Sequence, residues 1–102
     1  MSGWVLSPLA LSELEDILKY IAEESGSAAI CEKVASDFMA AFDNLAASPG
    51  IGWKREDLTG RSIRWWRVHS YLAAYNPETK PLRVIRIVHG ARNLDSLFQS
   101  EH

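Results

Sequence analysis

The chain reads as an α+β fold in the order β-α-α-β-β-β, with a two-helix hairpin packed on a small, mainly antiparallel sheet. Two observations predict this. Apolar residues recur every three or four positions from residue 8 to 47, then every second position from about residue 62 to 89. The change of period falls at Ser48-Pro49-Gly50, a helix-stopping run. Two further turn signals, His69-Ser70 and Pro77-Glu78-Thr79-Lys80-Pro81, divide the second half into three pieces of strand length.

The elements follow in order. Trp4-Val5-Leu6 is a short strand candidate. Ser7-Pro8 then opens the first helix, with the serine as N-cap and proline at the first helical position, where its missing N–H costs nothing. Leu11, Leu14, Ile17, Leu18 and Ile21 form its expected apolar face, and Ser25-Gly26-Ser27 ends it. The second helix is expected over residues 28–47, with Ile30, Val34, Phe38, Ala41, Phe42 and Leu45 facing inward. Residues 51–61 read as a loop rich in glycine and charge, with a helical turn at 54–58. Strands are expected at about 62–68, 71–76 and 82–89, with a closing helical turn at 94–98. Strict alternation places Val84, Arg86 and Val88 opposite Arg83, Ile85, Ile87 and His89.

A length of 102 residues with 47% hydrophobic content suits one domain, expected over residues 1–98 with a flexible tail at 99–102. The single cysteine, Cys31, cannot form an internal disulfide, and its place in an apolar helical pattern makes it a small buried hydrophobe. With neither a signal-peptide pattern nor an apolar run near membrane length, the expected location is the cytoplasm, without membrane association.

Charge is divided unevenly. Residues 1–50 carry eight acids against two lysines, a net of −6, whereas residues 51–102 carry nine cations against five acids, a net of +4. Seven of those nine are arginine: Arg55, Arg61, Arg64, Arg67, Arg83, Arg86 and Arg92. Arginine suits planar, bidentate recognition of carboxylate or phosphate, so the basic half points to an anionic partner. The simpler alternative for any one arginine is a solvated strand face or a pair with the acidic helices.

Other chemistries find little support. His69 and His89 titrate near neutrality and are candidate acid–base groups. The first sits in a turn and the second at a strand end, where a structural hydrogen bond is the plainer reading. Neither histidine has metal-ligand spacing with Cys31, so no metal and no cofactor are expected. Gly50-Ile51-Gly52 is too short for a phosphate loop, and no nucleophile elbow is present. Trp53, Trp65, Trp66, Tyr71 and Tyr75 offer stacking surfaces for bases, but aromatics in strands more often pack across the sheet. A nucleic-acid binder, a small nuclease and a protein-interaction module all remain open from these features.

Four blocks carry a resemblance that covers nearly the whole chain. They are Leu6-Ser7-Pro8-Leu9-Ala10 with Leu14, Asp16, Ile17 and Tyr20-Ile21; Ser48-Pro49-Gly50 leading to Gly52, Arg55 and Asp57-Leu58; Arg64 and Arg67-Val68 running to Tyr71 and Tyr75; and Ile85-Arg86-Ile87-Val88-His89-Gly90-Ala91-Arg92. In this order and spacing the chain resembles the RelE/ParE superfamily of type II toxin–antitoxin toxins. The resemblance implies the fold derived above.

It also implies one of two activities. RelE-like members cut mRNA on the ribosome with basic sheet residues and an acid–base group, often a tyrosine near the C-terminus. ParE-like members lack that group and poison DNA gyrase by binding. Arg67 and Arg92 resemble the ribonucleases' basic residues, so the ribonuclease alternative would use Arg67, His89 and Arg92. Phe98, however, falls where the tyrosine would stand, and phenylalanine has no proton to exchange. The ParE-like branch is therefore the expectation: a gyrase inhibitor rather than an enzyme, neutralised in a hetero-oligomer by a ParD-like antitoxin with an acidic C-terminal segment. Arg64, Arg67, Arg83, Arg86 and Arg92 are its expected partner-binding residues. An inactive relative that retains only antitoxin binding is the remaining alternative.

Overall fold

Residues 3–54 and 63–90 are described in a computed structural model of the chain. Arg55, Arg61, Arg92, Phe98, most of the helical turn expected at 54–58, the closing turn at 94–98 and the tail 99–102 lie outside them. The elements are β1 (Trp4–Leu6), α1 (Pro8–Ser25), α2 (Ala28–Ala47), a 3-10 turn (Pro49–Ile51), β2 (Trp53–Lys54), β3 (Arg64–Val68), β4 (Tyr71–Asn76) and β5 (Leu82–His89). They build the expected α+β architecture, two helices on one five-stranded sheet of order β1-β5-β4-β3-β2. Only the β1–β5 pair is parallel; β2–β3, β3–β4 and β4–β5 are antiparallel.

The helix ends follow the side-chain chemistry. Ser7 Oγ accepts the Ala10 N–H at 3.0 Å, and Pro8 takes the first helical position of α1. Gly26 closes α1 at φ 62°, a left-handed conformation open to glycine, with its N–H on the Ala22 carbonyl. Ser27 Oγ then caps α2 by accepting the Ile30 N–H. Pro49, which cannot continue a helix, opens the 3-10 turn.

The core lies between the hairpin and one sheet face. Ala10, Phe38, Phe42 and Leu45 from the helices meet Val68, Tyr71, Ala73, Tyr75, Leu82, Val84 and Ile87 from the strands. Phe38 and Phe42 stack at a tilt, and Phe42 takes the Trp4 ring edge-on at 5.1 Å. A smaller cluster of Trp65, Leu72 and Ala74, flanked by Ile63 and Val88, marks the opposite, outer face. β4 is buried on both sides from Tyr71 to Tyr75, which explains why this strand carries no charge.

Four expectations need correction. Residues 51–61 are not loop throughout, because Trp53 pairs with Trp65 and Lys54 with Arg64 as β2. Two residues are too few to show a period. Leu11 is 47% exposed, since Ala10, Leu14, Ile17 and Ile21 set the inward stripe of α1 and Leu11 lies a turn-fraction beyond it. Ile30 is 50% exposed because it precedes the part of α2 that meets the sheet; nearby, the half-buried Cys31 directs Sγ to the Leu18 carbonyl of α1. Finally, strict alternation fails in β5. Ala74 pairs with Arg86 but Tyr75 pairs with Val84, so Ile85 is an extra residue in a bulge. Val84 and Ile87 consequently both face the helices.

Tyr75 ties the 3-10 turn to the sheet. Its hydroxyl donates to the Pro49 carbonyl at 2.6 Å and accepts the Gly52 N–H at 3.0 Å. Burial pushes the Tyr75 hydroxyl above its ordinary pKa, so it stays a donor. A Cβ at residue 52 would stand 2.5 Å from that hydroxyl and 2.7 Å from the Trp65 carbonyl, so only glycine fits. Tyr75→Phe leaves the Pro49 carbonyl and Gly52 N–H without this partner and should cost roughly 1–3 kcal/mol in urea unfolding. A loss below about 0.5 kcal/mol, the level of a neutral surface change, would contradict this account.

The β3–β4 turn is fastened similarly. His69 adopts φ 55°, rare for a residue with a side chain, while its Nε2 lies 2.7 Å from Asp37 Oδ2 on α2. Lys33 Nζ contacts the other carboxylate oxygen at 2.7 Å. Hydrogen bonds from Lys33 and then His69 hold the Asp37 carboxyl below its ordinary pKa of 3.8. A depressed folded pKa stabilises the fold above the unfolded value and loses that contribution as pH falls through the folded one. The stability gap between the native chain and Asp37→Asn should therefore shrink as the pH falls through the acid range in which Asp37 becomes protonated. Equal gaps from about pH 6 down to pH 2 would contradict it.

Candidate partner-binding surface

β5 organises the basic half because its neighbours differ along its length. β1 pairs only with Leu82, Arg83 and Val84, after which Ser7-Pro8 turns the chain into α1. Past that point the outer edge of β5 would expose its backbone groups, and α1 supplies the partners. Ser7 Oγ donates to the Ile85 carbonyl at 2.8 Å. Glu13 Oε1 accepts the Ile87 N–H at 2.8 Å, while Oε2 accepts from Arg86 Nη2 at 2.7 Å and Nε at 3.2 Å. One carboxylate thus caps a strand edge and neutralises an arginine. Both are charge-assisted bonds, stronger than neutral ones.

Among the described residues the expected arginines do not form one patch. Residue parity and register put Arg67, Arg83 and Arg86 on the outer face with Trp65, Leu72 and Ala74. Arg64 shares the helix side with Trp66 and Val68, and its Nη1 donates to the Gly52 carbonyl at 2.6 Å. Arg86 is held by Glu13. Arg67 and Arg83 are exposed near opposite ends of the outer face. Gly90 packs closely beside the first, with its absent Cβ only 3.4 Å from Arg67 Nη1.

His89 lies on the other side of the sheet. It pairs with Tyr71, and the two rings meet edge to face at 5.1 Å, a ring contact in place of the expected hydrogen bond. Together they line a groove of about 590 Å³ between α1 and the end of β5, with Glu13, Asp16, Ile17 and Tyr20 on the helix wall. Burial, and secondarily the neighbouring Tyr20 hydroxyl, raise the Tyr71 pKa. His69, in the turn, is engaged with Asp37.

Glu13, Ser7 and the groove residues Asp16 and Tyr20 were not anticipated as functional positions. A signal for Glu13 does exist in the chain. It stands three residues after Ala10 and four before Ile17, on the inward stripe, where a charge requires a partner. Among the described residues no group of histidine, cysteine, aspartate and glutamate is placed to hold a metal ion. No helix among them is long and apolar enough to cross a membrane.

Glu13→Ala removes the acceptor for the Ile87 N–H and the partner of Arg86, and should cost about 1–3 kcal/mol by urea unfolding. Glu13→Gln retains an acceptor and should lose less, while Glu15→Ala, on the exposed side of α1, should stay within about 0.5 kcal/mol of the native chain. Equal effects of Glu13→Ala and Glu15→Ala would refute the clamp.

Residues 5–94 match the family described as the ParE toxin of the type II toxin-antitoxin system, parDE. No curated protein matches the chain.

Proposed function

The chain belongs to the ParE toxin family of type II toxin–antitoxin systems, and from that premise we propose that it arrests growth in the cytoplasm by binding DNA gyrase. A cognate, ParD-like antitoxin neutralises it by laying an acidic segment on the outer sheet face. The observation that carries this reading is the separation of Arg67 from His89. Arg67 belongs to the outer face with Trp65, whereas His89 packs on Tyr71 beside α1. A general acid or base must reach the same reacting group as the cations that hold the substrate. Residues on opposite faces of a sheet do not meet that condition, which favours binding over cleavage.

The arginines then have distinct roles. Arg67 and Arg83, exposed on the outer face, meet carboxylates of the partner, and Arg92 extends the set by sequence. Arg86 and Arg64 contribute positive potential while anchored to Glu13 and Gly52. Charge reversal at Arg86 or Arg64 would therefore disturb internal bonds as well as the interface. Arg67→Glu and Arg83→Glu are the informative changes.

Expressed without its partner, the chain should stop growth, and the purified protein in excess should block supercoiling by gyrase while transcripts in the arrested cells stay intact. Each arginine reversal should weaken the antitoxin complex about tenfold or more by calorimetry. Codon-positioned mRNA cleavage with unaffected supercoiling would instead establish the ribonuclease alternative. Normal growth on induction would identify an inactive relative.

A further inference from the structure

The short turn between β3 and β4 is held from two sides. On one side Asp37 of α2 places Oδ2 at 2.7 Å from His69 Nε2. Its other oxygen takes Lys33 Nζ at 2.7 Å, so both carboxylate oxygens are engaged. On the other side the Ser70 carbonyl accepts the Gly90 N–H at 2.6 Å, just beyond the last paired residues of β4 and β5, Tyr71 and His89. The approach at Gly90 is tight. A Cβ there would stand 2.9 Å from the Ser70 carbonyl oxygen and 3.4 Å from Arg67 Nη1. With so little slack, a displacement of the turn is transmitted to the end of β5.

The attachment to α2 differs from the attachment to β5 because its strength depends on charge. His69 is half-exposed and stands at φ 55°, a backbone conformation disfavoured for a residue with a side chain, and the Asp37 contact offsets that cost. Histidine changes charge between about pH 5 and 8. Charged, His69 gives Asp37 an ion pair; neutral, it gives at most a hydrogen bond from an uncharged donor, the weaker of the two. The titratable groups that face His69 from α2 are Asp37 and, through that carboxylate, Lys33. On the strand side Tyr71 and His89 stand next to the turn. The Phe38 and Tyr71 rings, 6.0 Å apart, give α2 and β4 an apolar contact whose strength does not follow the charge of His69.

We propose that the β3–β4 turn is a protonation-sensitive latch: the charged His69–Asp37 pair closes the turn onto α2, and the closed turn holds the end of β5 through Ser70 and Gly90. Since the charged pair is the stronger contact, closure is favoured as the pH falls through the range in which His69 takes up its proton. It is lost again in stronger acid, where Asp37 becomes protonated. Gly90 packs beside Arg67, so opening the latch changes the surroundings of an exposed cation on the outer face. The device does not depend on what that face binds.

Amide hydrogen exchange at Gly90 in the isotopically labelled full chain, corrected for the intrinsic pH dependence of exchange, tests the latch. Protection should be about two- to fivefold greater near pH 5.5 than near pH 8, the span that one exposed ion pair supplies. His69→Gln keeps a donor but carries no charge, and Asp37→Asn removes the anion, so both should give a flat profile over that range. His69→Gly relieves the left-handed backbone while removing the contact, and should lower Gly90 protection near pH 5.5 at least to the native level near pH 8. Equal native protection at the two pH values would overturn the proposal. So would a response that survives in His69→Gln, which would assign it to His89. A response of the same size at the core amides of Ala73 and Ile87 would also overturn it, because the change would then be one of global stability.

Discussion

The attachment of α1 to the open half of β5 is the constraint on which the remaining structure depends. β1 is only three residues long and pairs with β5 only as far as Val84. A parallel pair needs a crossover, and here the crossover spans both helices and three further strands before β5 returns. So long a connection closes at an entropic cost that grows slowly with length. Four side-chain hydrogen bonds secure the closure: one from Ser7 to the Ile85 carbonyl, and three to Glu13, from the Ile87 N–H and twice from Arg86.

That arrangement changes the meaning of the charge division. The acidic half is not only a solvated shell, because three of its acids stitch the helices to other elements. Glu13 reaches β5, Asp37 reaches the β3–β4 turn, and Asp43 accepts the Trp4 indole N–H at 2.7 Å. Exposed ion pairs contribute little individually. Glu13 differs because its carboxylate also satisfies a backbone N–H and its side chain is only 18% exposed. Once Arg86 and Arg64 are taken up internally, the outer face presents, among the described arginines, Arg67 and Arg83 as separated contacts.

Much of the fold was legible because its signals are local. The cap at Ser7, the breaks at Ser25-Gly26-Ser27 and Ser48-Pro49-Gly50 and the change of period each act over a few residues, and each appears where the chain implied it. What escaped notice depends on partners distant in sequence. β2 exists only because β3 lies beside it. The bulge at Ile85 lets both Val84 and Ile87 reach the core, a choice that alternation within one strand cannot reveal. Of the candidate site, the strand location of Arg64, Arg67, Arg83 and Arg86 is legible in the sequence, and their placement on the sheet is not. Arginines were correctly expected on strands, yet their division between two faces and their internal partners follow from register and from one glutamate 73 residues away from Arg86.

The two surfaces that result lie on opposite sides of one sheet and select opposite charges. The outer face offers Arg67 and Arg83, while the groove offers Asp16 beside Tyr20. A partner that engages only one of them gains one set of contacts. A segment that engages both meets its second contact at high effective concentration. Charge order along such a segment becomes a specificity device, because a partner with the signs reversed meets repulsion on both faces. Because β1 is short, α1 rather than a strand lies beside β5 beyond Val84 among the described residues. The bulge at Ile85 sets which side chains of β5 face each surface, so the irregularities least visible in the sequence are the ones that shape both surfaces.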